Sequence, residues 1–266
     1  MKNRKSIFFL IFTIVSCFCA PTFAQTKSIR IDTTAISIYA DNFDNIYLLT
    51  PKEEILKYTP DGKLKWRYSN NRFGKIQNID VSDPLRIVLF YGDFQQVVVL
   101  NNNLSEISSY SFASNSNLLI AALASSNNNG FWAFDRTNNC LIKLSSNFTE
   151  AMRSANLSQI FEKPIVPKKL VASDQFVYLQ QIDNQILQFD QFGAFIKPLA
   201  IDSLSDFNIT TNKIAYLFKS ELIQYDPITF EISKQKLLLE APIKQVTVGN
   251  KIVAALTEKA VFLLTK

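Results

Sequence analysis

The sequence predicts an all-β protein built from repeated small sheets, and three observations support this prediction. Short runs rich in Ile, Val, Leu, Phe and Tyr alternate with clusters of Asn, Asp, Ser and Gly from residue 28 onward. A hairpin-like pattern recurs five times, its copies starting 42, 44, 45 and 36 positions apart. Two further strand-like runs precede each copy. Four strands in about 40 residues are typical of β-propeller blades.

The best-defined copy of this hairpin is Tyr58–Trp66, which reads Tyr-Thr-Pro-Asp-Gly-Lys-Leu-Lys-Trp. Its Asp61-Gly62 turn between apolar positions is among the strongest short-range hairpin patterns. We expect each copy to form the two outer strands of a blade. The weaker copies are Leu100–Ile107, Leu144–Ala151, Phe189–Phe195 and Tyr225–Ile232.

The strand-like runs that precede the hairpins supply the expected inner strands of each blade. No convincing amphipathic helix of twelve or more residues interrupts them, and the best helical candidate is the short run 149–161. The predicted first, second and third strands of blades one to five are 35–40, 45–50 and 54–58; 76–81, 85–91 and 97–100; 118–124, 130–134 and 140–144; 169–173, 176–180 and 185–189; and 206–210, 213–218 and 221–225.

A sixth blade lacks its outermost strand. Runs 243–248, 251–257 and 260–265 give three strands before the sequence stops, whereas Lys27–Asp32 is an alternating run with no blade of its own. Pairing this run with 260–265 closes a ring and removes the exposed sheet edges of an open array. We therefore predict one domain, residues 25–266, as a six-bladed propeller closed by the N-terminal strand. Rings of five or seven blades remain alternatives because the repeats are degenerate.

Residues 1–24 have the pattern of a signal peptide. Three cations precede an apolar run, residues 7–20, which is shorter than a membrane span. Thr22-Phe23-Ala24 suits a signal peptidase, leaving Gln25 as the new N-terminus. The alternative is a lipoprotein anchored at Cys17, because Ile14-Val15-Ser16-Cys17 resembles a bacterial lipobox. Either pattern predicts export to the periplasm or to the periplasmic face of the outer membrane.

Charge and composition narrow the function classes. Residues 1–24 carry three of the 28 Lys and Arg residues and no acid, so the net charge falls from +5 to +2 on their removal. A nearly neutral chain gives no electrostatic case for nucleic-acid binding. The absence of histidine excludes Ser-His-Asp and Cys-His triads and His-ligated zinc. Cys140, the one cysteine after residue 24, is expected to be buried.

The repeat pattern resembles bacterial six-bladed propellers of the NHL and PQQ-like-repeat type. The residues that carry this resemblance are Tyr58, Asp61, Gly62 and Trp66, followed in later copies by an aromatic residue or Leu, an Asp or Asn turn and spaced apolar residues. It spans roughly residues 28–266. The resemblance implies a propeller fold and carries no activity with it.

A protein partner is the leading functional hypothesis. In propellers, the loops between blades and the loops between second and third strands share one face, which is usually the binding face. Aromatic residues and arginine together on such loops are typical of binding hot spots. The long connection 152–168 adds apolar and basic residues, and it is either a helical turn that caps the core or an arm that contacts a partner. The candidate contact residues are Arg72, Phe73, Tyr91, Phe94, Arg136, Ile160, Phe161 and Lys163.

The alternative class is a calcium-dependent, lactonase-like enzyme or a propeller that binds a small ligand. Propeller lactonases hold a central calcium with acidic and amide oxygens, and the local candidates here are Asp41, Asp44, Asp80, Asp83 and Asp93. Asp and Asn are also favoured by turn geometry, which is the interpretation we prefer for Asp41–Asn45. The leading prediction is a non-enzymatic, cofactor-free adaptor of an outer-membrane-barrel or protein-secretion assembly, with no transmembrane span after residue 24.

Overall fold

The computed structural model is an all-β ring of six four-stranded antiparallel sheets. It describes residues 28–162, 164–199, 201 and 206–266. The strands in chain order are β1 (Ser28–Ile31), β2 (Ser37–Ala40), β3 (Ile46–Leu49), β4 (Glu54–Tyr58), β5 (Leu64–Ser69), β6 (Asn78–Asp80), β7 (Ile87–Tyr91), β8 (Gln96–Leu100), β9 (Glu106–Ser111), β10 (Ile120–Ser125), β11 (Phe131–Asp135), β12 (Cys140–Leu144), β13 (Glu150–Arg153), β14 (Pro167–Ala172), β15 (Phe176–Gln181), β16 (Ile186–Asp190), β17 (Phe195–Leu199), β18 (Phe207–Thr210), β19 (Lys213–Phe218), β20 (Glu221–Tyr225), β21 (Ile232–Lys236), β22 (Gln245–Val248), β23 (Ile252–Leu256) and β24 (Val261–Thr265).

Each blade is four consecutive strands, and the sixth is completed from the other end of the chain. Blades one to five are β2–β5, β6–β9, β10–β13, β14–β17 and β18–β21, and blade six has the order β1-β24-β23-β22. Ser28 lies opposite Leu264 and Ile31 lies opposite Val261. The six-bladed ring and its closure by the N-terminal strand are therefore confirmed.

The core lies between blades rather than at the centre of the ring. Six buried apolar clusters occur among the described residues, one at each boundary between neighbouring blades. Strand β8 shows why the strands read as continuous apolar runs. Val97 and Val99 pack towards blade three, whereas Val98 and Leu100 pack towards blade one. A strand buried on both faces needs apolar residues at every position.

The outer hairpins of blades one to five place a left-handed residue just before the returning strand, in spite of different sequences and a turn that is one residue longer in blade five. Gly62 adopts a left-handed conformation with φ +76°, and a Cβ there would lie 2.6 Å from the side chain of Ile29 in β1. The equivalent position is Leu104 in blade two, Phe148 in blade three and Phe230 in blade five, all with φ near +60°. A bulky residue in this conformation costs roughly 1–2 kcal/mol. Burial of Leu104 and Phe148 between blades offsets that cost.

The two described helices are single turns outside the blades, α1 (Phe112–Asn115) and α2 (Ser158–Phe161). The run 149–161 is therefore not a helix over most of its length, because Glu150–Arg153 forms the outer strand of blade three. Among the residues that the structure describes, no helix has the length and apolar character needed to cross a membrane.

Candidate functional site: the two faces of the ring

The loops divide into two sets, one on each face of the ring. We call one face the crossover face; it carries the loops between successive blades and those between second and third strands. We call the other the cavity face; it carries the loops between first and second strands and those between third and fourth strands. The division follows from the antiparallel order of the strands in each blade.

An arc of exposed apolar side chains crosses blades two to four on the crossover face. It consists of Phe94, Leu119, Val166 and Ile182, which are between 44% and 65% exposed. The Gln95 side-chain amide accepts from the Ile120 N–H at 2.7 Å and donates to the Ile120 carbonyl at 2.8 Å. These bonds tie the loop that carries Phe94 to the residue that follows Leu119. We refer to the four apolar residues as the apolar arc.

The second half of the arc is held by backbone contacts. Inner strands β10 and β14 run side by side, and Leu119 and Val166 immediately precede them. The Ile182 N–H donates to the Val166 carbonyl at 3.1 Å. These contacts place the loops that carry the four residues next to one another on the crossover face.

Three of the predicted contact residues surround the start of the arc. The Phe73 ring is half-buried and lies 6.5 Å from Phe94, with the exposed Arg72 guanidinium 5.2 Å from its centre. Exposed Arg136 lies further along, and its N–H donates to the Leu119 carbonyl at 2.8 Å. Tyr91 differs from the expectation for a contact residue, because it is fully buried and packs edge-to-face beneath Phe73 at 5.5 Å. It supports the surface without reaching it.

The long connection between blades three and four is a helical turn seated on the core. Leu157 and Ile165 are buried between these blades. Phe161 packs edge-to-face on Phe195 at 4.8 Å, while Ile160 points outward with 46% of its surface exposed. The remaining predicted residue, Lys163, lies outside the described residues.

An ion pair between a buried carboxylate and an exposed guanidinium lies on the crossover side of blade three. The Asp135 carboxylate is fully buried and accepts from the Arg153 guanidinium at 3.1 Å. The same guanidinium lies 3.2 Å from the sulfur of Cys140, which is buried as expected. Burial raises the pKa of the Cys140 thiol. The cysteine therefore behaves as a packing residue rather than as a thiolate.

A large cavity opens at the centre of the cavity face. Its volume is about 590 Å³, and the loops between first and second strands of all six blades line it. A smaller chamber of about 80 Å³ lies against the inner strands and includes Tyr39, Lys169 and Asn208. The sequence pointed to the opposite face, so this cavity was missed.

Asp41 and Asp44, the first two candidate calcium ligands, already accept hydrogen bonds from neighbouring protein groups. Asp41 accepts four hydrogen bonds of 2.8–2.9 Å, from the N–H groups of Phe43 and Asn45, the Asn45 amide and the Tyr47 hydroxyl. Asp44 accepts from the N–H groups of Lys251 (2.8 Å) and Ile252 (3.3 Å) in blade six. Asp41 thus fixes its turn, and Asp44 ties blade one to the closing blade.

The other three carboxylates do not converge either. Asp80 accepts from the N–H groups of Ser82 (2.9 Å) and Ser125 (2.7 Å), and Asp83 from that of Leu85 (2.9 Å). Asp93 lies on the crossover face. In the part of the chain that the structure describes, no group of three or more Asp, Glu or Cys side chains is placed to hold a metal ion.

Polar side chains of the inner strands join the blades around the channel. The Lys169 ammonium donates to the Asp206 carboxylate at 2.7 Å, and the Gln245 amide donates to the other Asp206 oxygen at 2.7 Å. Gln245 also accepts from the Ile38 N–H at 2.8 Å. Burial opposes ionisation of Asp206, but Lys169 outweighs it and the pKa of this carboxyl falls below its usual value. Blades four, five, six and one are linked in this way.

Comparison with known proteins gives the fold and no family. No protein-family model matches the sequence, and no curated protein matches it. Virginiamycin B lyase from Staphylococcus aureus is a similar structure, with 11% identity and a TM-score of 0.61 over 91% of this chain and 99% of that one. The Cps50 (Swd1) β-propeller domain of Myceliophteria thermophila is also similar, with 6% identity and a TM-score of 0.61 over 90% of this chain and 100% of that one.

A third similar structure is a chain of the mitotic checkpoint complex, with 8% identity and a TM-score of 0.60 over 100% of this chain and 99% of that chain. Identities this low establish a shared fold and leave activity open. The six-bladed propeller that the repeat pattern implied is thus confirmed at the level of the fold.

Proposed function

We propose that this chain is an exported, non-enzymatic adaptor that binds a protein partner through its crossover face. The observation that carries the proposal is the apolar arc of Phe94, Leu119, Val166 and Ile182. Contiguous exposed apolar surface on a soluble domain is typical of interaction sites. The neighbouring Arg72, Phe73 and Arg136 add the residue types that are enriched at binding hot spots.

The envelope location rests on the sequence of residues 1–24. A basic start, an apolar run of 14 residues and Thr22-Phe23-Ala24 favour export. In that compartment we propose an outer-membrane barrel or a protein-secretion component as the partner. The engaged carboxylates Asp41 and Asp44 favour the adaptor over the calcium-dependent enzyme, because their oxygens already serve the fold.

Site-specific photocrosslinking tests which face binds. A photoreactive phenylalanine analogue is placed at Phe94 or Ile182 on the crossover face, and at Phe43 or Phe192 on the cavity face. The control positions are 62% and 72% exposed, against 53% and 65% for the test positions. After irradiation of cells, we expect discrete adducts with an outer-membrane barrel or secretion component from the crossover positions.

Charge substitutions provide the quantitative test. Phe94→Asp and Ile182→Asp place a charge in the proposed interface and should reduce recovery of the crosslinked partner at least about tenfold, since hot-spot losses exceed about 1.4 kcal/mol. Phe192→Asp is the matched control and should have no effect. Equal adducts from both faces, or a protein that stays monomeric in membrane extracts, would contradict the proposal.

A further inference from the structure

We propose that the cavity on the cavity face is a binding site for a neutral carbohydrate. Its volume of about 590 Å³ lies within the roughly 300–1,000 Å³ of small-molecule sites. It is formed where six loops meet around the channel, so ring closure alone creates it. The site is on the opposite side from the apolar arc, and its test is therefore independent of the proposed adaptor role.

The lining is made largely of uncharged groups that both donate and accept hydrogen bonds. Amides come from Asn42, Asn127, Asn129, Asn212 and Asn250, and hydroxyls from serine and threonine side chains of the same loops. An amide offers two donors and an acceptor, which is the complement of a ligand covered with hydroxyl groups. A sugar presents that pattern without a charge.

The charged groups in the lining are mostly occupied. Asp41 is satisfied by its own turn, and Asp83 accepts from the Leu85 N–H. The Arg86 guanidinium lies 4.3 Å from the centre of the Phe131 ring and donates to the Gly130 carbonyl at 3.3 Å. Three carboxylates against one guanidinium disfavour an anionic ligand such as a phosphate.

A buried hydroxyl inside the cavity points to a polar ligand. Ser125 lines the cavity and is only 7% exposed, and its hydroxyl has no hydrogen-bond partner among the described residues. In the smaller chamber behind it, the side-chain oxygen of Asn208 is also buried and unpaired within the described chain. Buried polar atoms are normally hydrogen-bonded, so these two atoms leave unused hydrogen-bonding capacity in the walls of the cavity and of the smaller chamber.

Several turns that line the cavity have polar side chains at positions with positive φ, where glycine has the least strain. Asn128 and Asn129 both have positive φ, near +60°, and so do Thr211 (+50°) and Asn212 (+61°). Two-residue turns of this kind favour asparagine and glycine, so Thr211 is the residue that departs from the turn preference. The asparagine and threonine side chains at these positions add hydrogen-bonding groups to the cavity wall.

An exposed aromatic residue is adjacent in sequence to the lining, and the proposal gives it a role. Phe43 directly follows Asn42 in the lining and is 62% exposed. Its ring can cover the C–H face of a sugar while the amides bind the hydroxyl groups.

Titration of the purified protein with defined sugars tests the proposal. The neutral probes are maltose, cellobiose and N,N′-diacetylchitobiose, and the anionic probes are glucose 6-phosphate and inorganic phosphate. We expect at least one neutral disaccharide to bind at millimolar concentration or tighter by calorimetry, and the anionic probes to bind at least about tenfold more weakly, because the wall carries three carboxylates and one guanidinium.

Variants then place the binding in the cavity. Ser125→Ala should weaken binding about fivefold, as expected for one lost hydrogen bond, without lowering the melting temperature, because the hydroxyl has no protein partner. Asn127→Ala with Asn129→Ala should weaken it more. Phe94→Ala on the crossover face is the control and should leave binding unchanged. No binding of any neutral probe, tighter binding of phosphate, or binding that the cavity variants do not alter would overturn the proposal.

Discussion

The two faces of this ring are built by the same repeat yet offer opposite chemistries. The crossover face has the longer connections and an arc of exposed apolar residues, with an ion pair between buried Asp135 and exposed Arg153 in blade three. The cavity face has short turns rich in Asn, Ser and Thr around a polar cavity of about 590 Å³. The strands are constrained on both sides by neighbouring blades, whereas the loops are not. The loops are therefore where a degenerate repeat can diversify.

The largest expected effect concerns the buried charge under the crossover face. Arg153→Met should lower the free energy of unfolding by about 3 kcal/mol, the lower end of the range for a broken buried pair, because the fully buried Asp135 carboxylate loses its cation but keeps the Thr137 N–H and the Asn138 amide. Urea denaturation measures this. Lys234→Met, on the exposed strand β21, should change stability by less than about 0.5 kcal/mol. A loss below about 1 kcal/mol for Arg153→Met would show that this face does not depend on the pair.

The next effect concerns a hairpin of the cavity face. Phe148→Gly should destabilise the protein by roughly 2–3 kcal/mol, because the Phe148 ring stacks on Tyr110 at 4.3 Å and on Phe131 at 4.4 Å. Relief of the left-handed backbone returns only about 1 kcal/mol of that loss. Thermal denaturation followed by circular dichroism measures the net change in stability from lost packing and relieved strain. An unchanged or higher melting temperature would mean that strain outweighs packing at this turn.

A smaller effect is expected at the channel that connects the faces. The pKa of Asp206 is lowered in the fold, so its contribution is present above the unfolded pKa of about 3.9 and is lost as pH falls through the folded value. Asp206→Asn should therefore cost roughly 1–2 kcal/mol at pH 7, and its gap from the parent protein should shrink below about pH 4. Denaturation series at several pH values test this. A gap that is constant down to pH 2 would argue against the Lys169 pairing.

The smallest effect is at the exposed counterpart of Phe148. Phe230 has the same left-handed backbone, with φ +63°, but is 63% exposed and contacts Lys197 at 4.5 Å. Phe230→Gly should change stability by less than about 1 kcal/mol, since lost cation–π attraction and relieved strain are of similar size. A loss as large as that of Phe148→Gly would reveal packing at this rim.

The strands could be predicted because packing between neighbouring blades requires apolar side chains along them in a regular pattern. Glu54–Tyr58, Cys140–Leu144, Lys213–Phe218 and Glu221–Tyr225 begin and end where the sequence placed them. Pairing of Lys27–Asp32 with the last strand also followed from alternation and an unpaired edge. The outer strand Glu150–Arg153 was harder, because most of its residues are exposed and no apolar pattern marks it.

The sites were harder to predict because they depend on which loops meet in space. Phe94 and Arg136 could be predicted to be exposed on the crossover face because bulky loop residues stand out locally, whereas Leu119, Val166 and Ile182 look like ordinary strand ends. The cavity was missed because each Asn or Ser cluster, taken alone, is a plausible turn. The pattern that could have revealed it is the recurrence of such clusters after the first strand of blades one, three, five and six.

The closing strand also sets the orientation of the ring relative to anything attached to its start. Strand β1 leads into the loop 32–36 on the crossover face, so Ser28 lies at the opposite rim, close to the turn at Gly62. A tether ahead of Ser28, such as a lipid on Cys17, would therefore leave the disc from the cavity side.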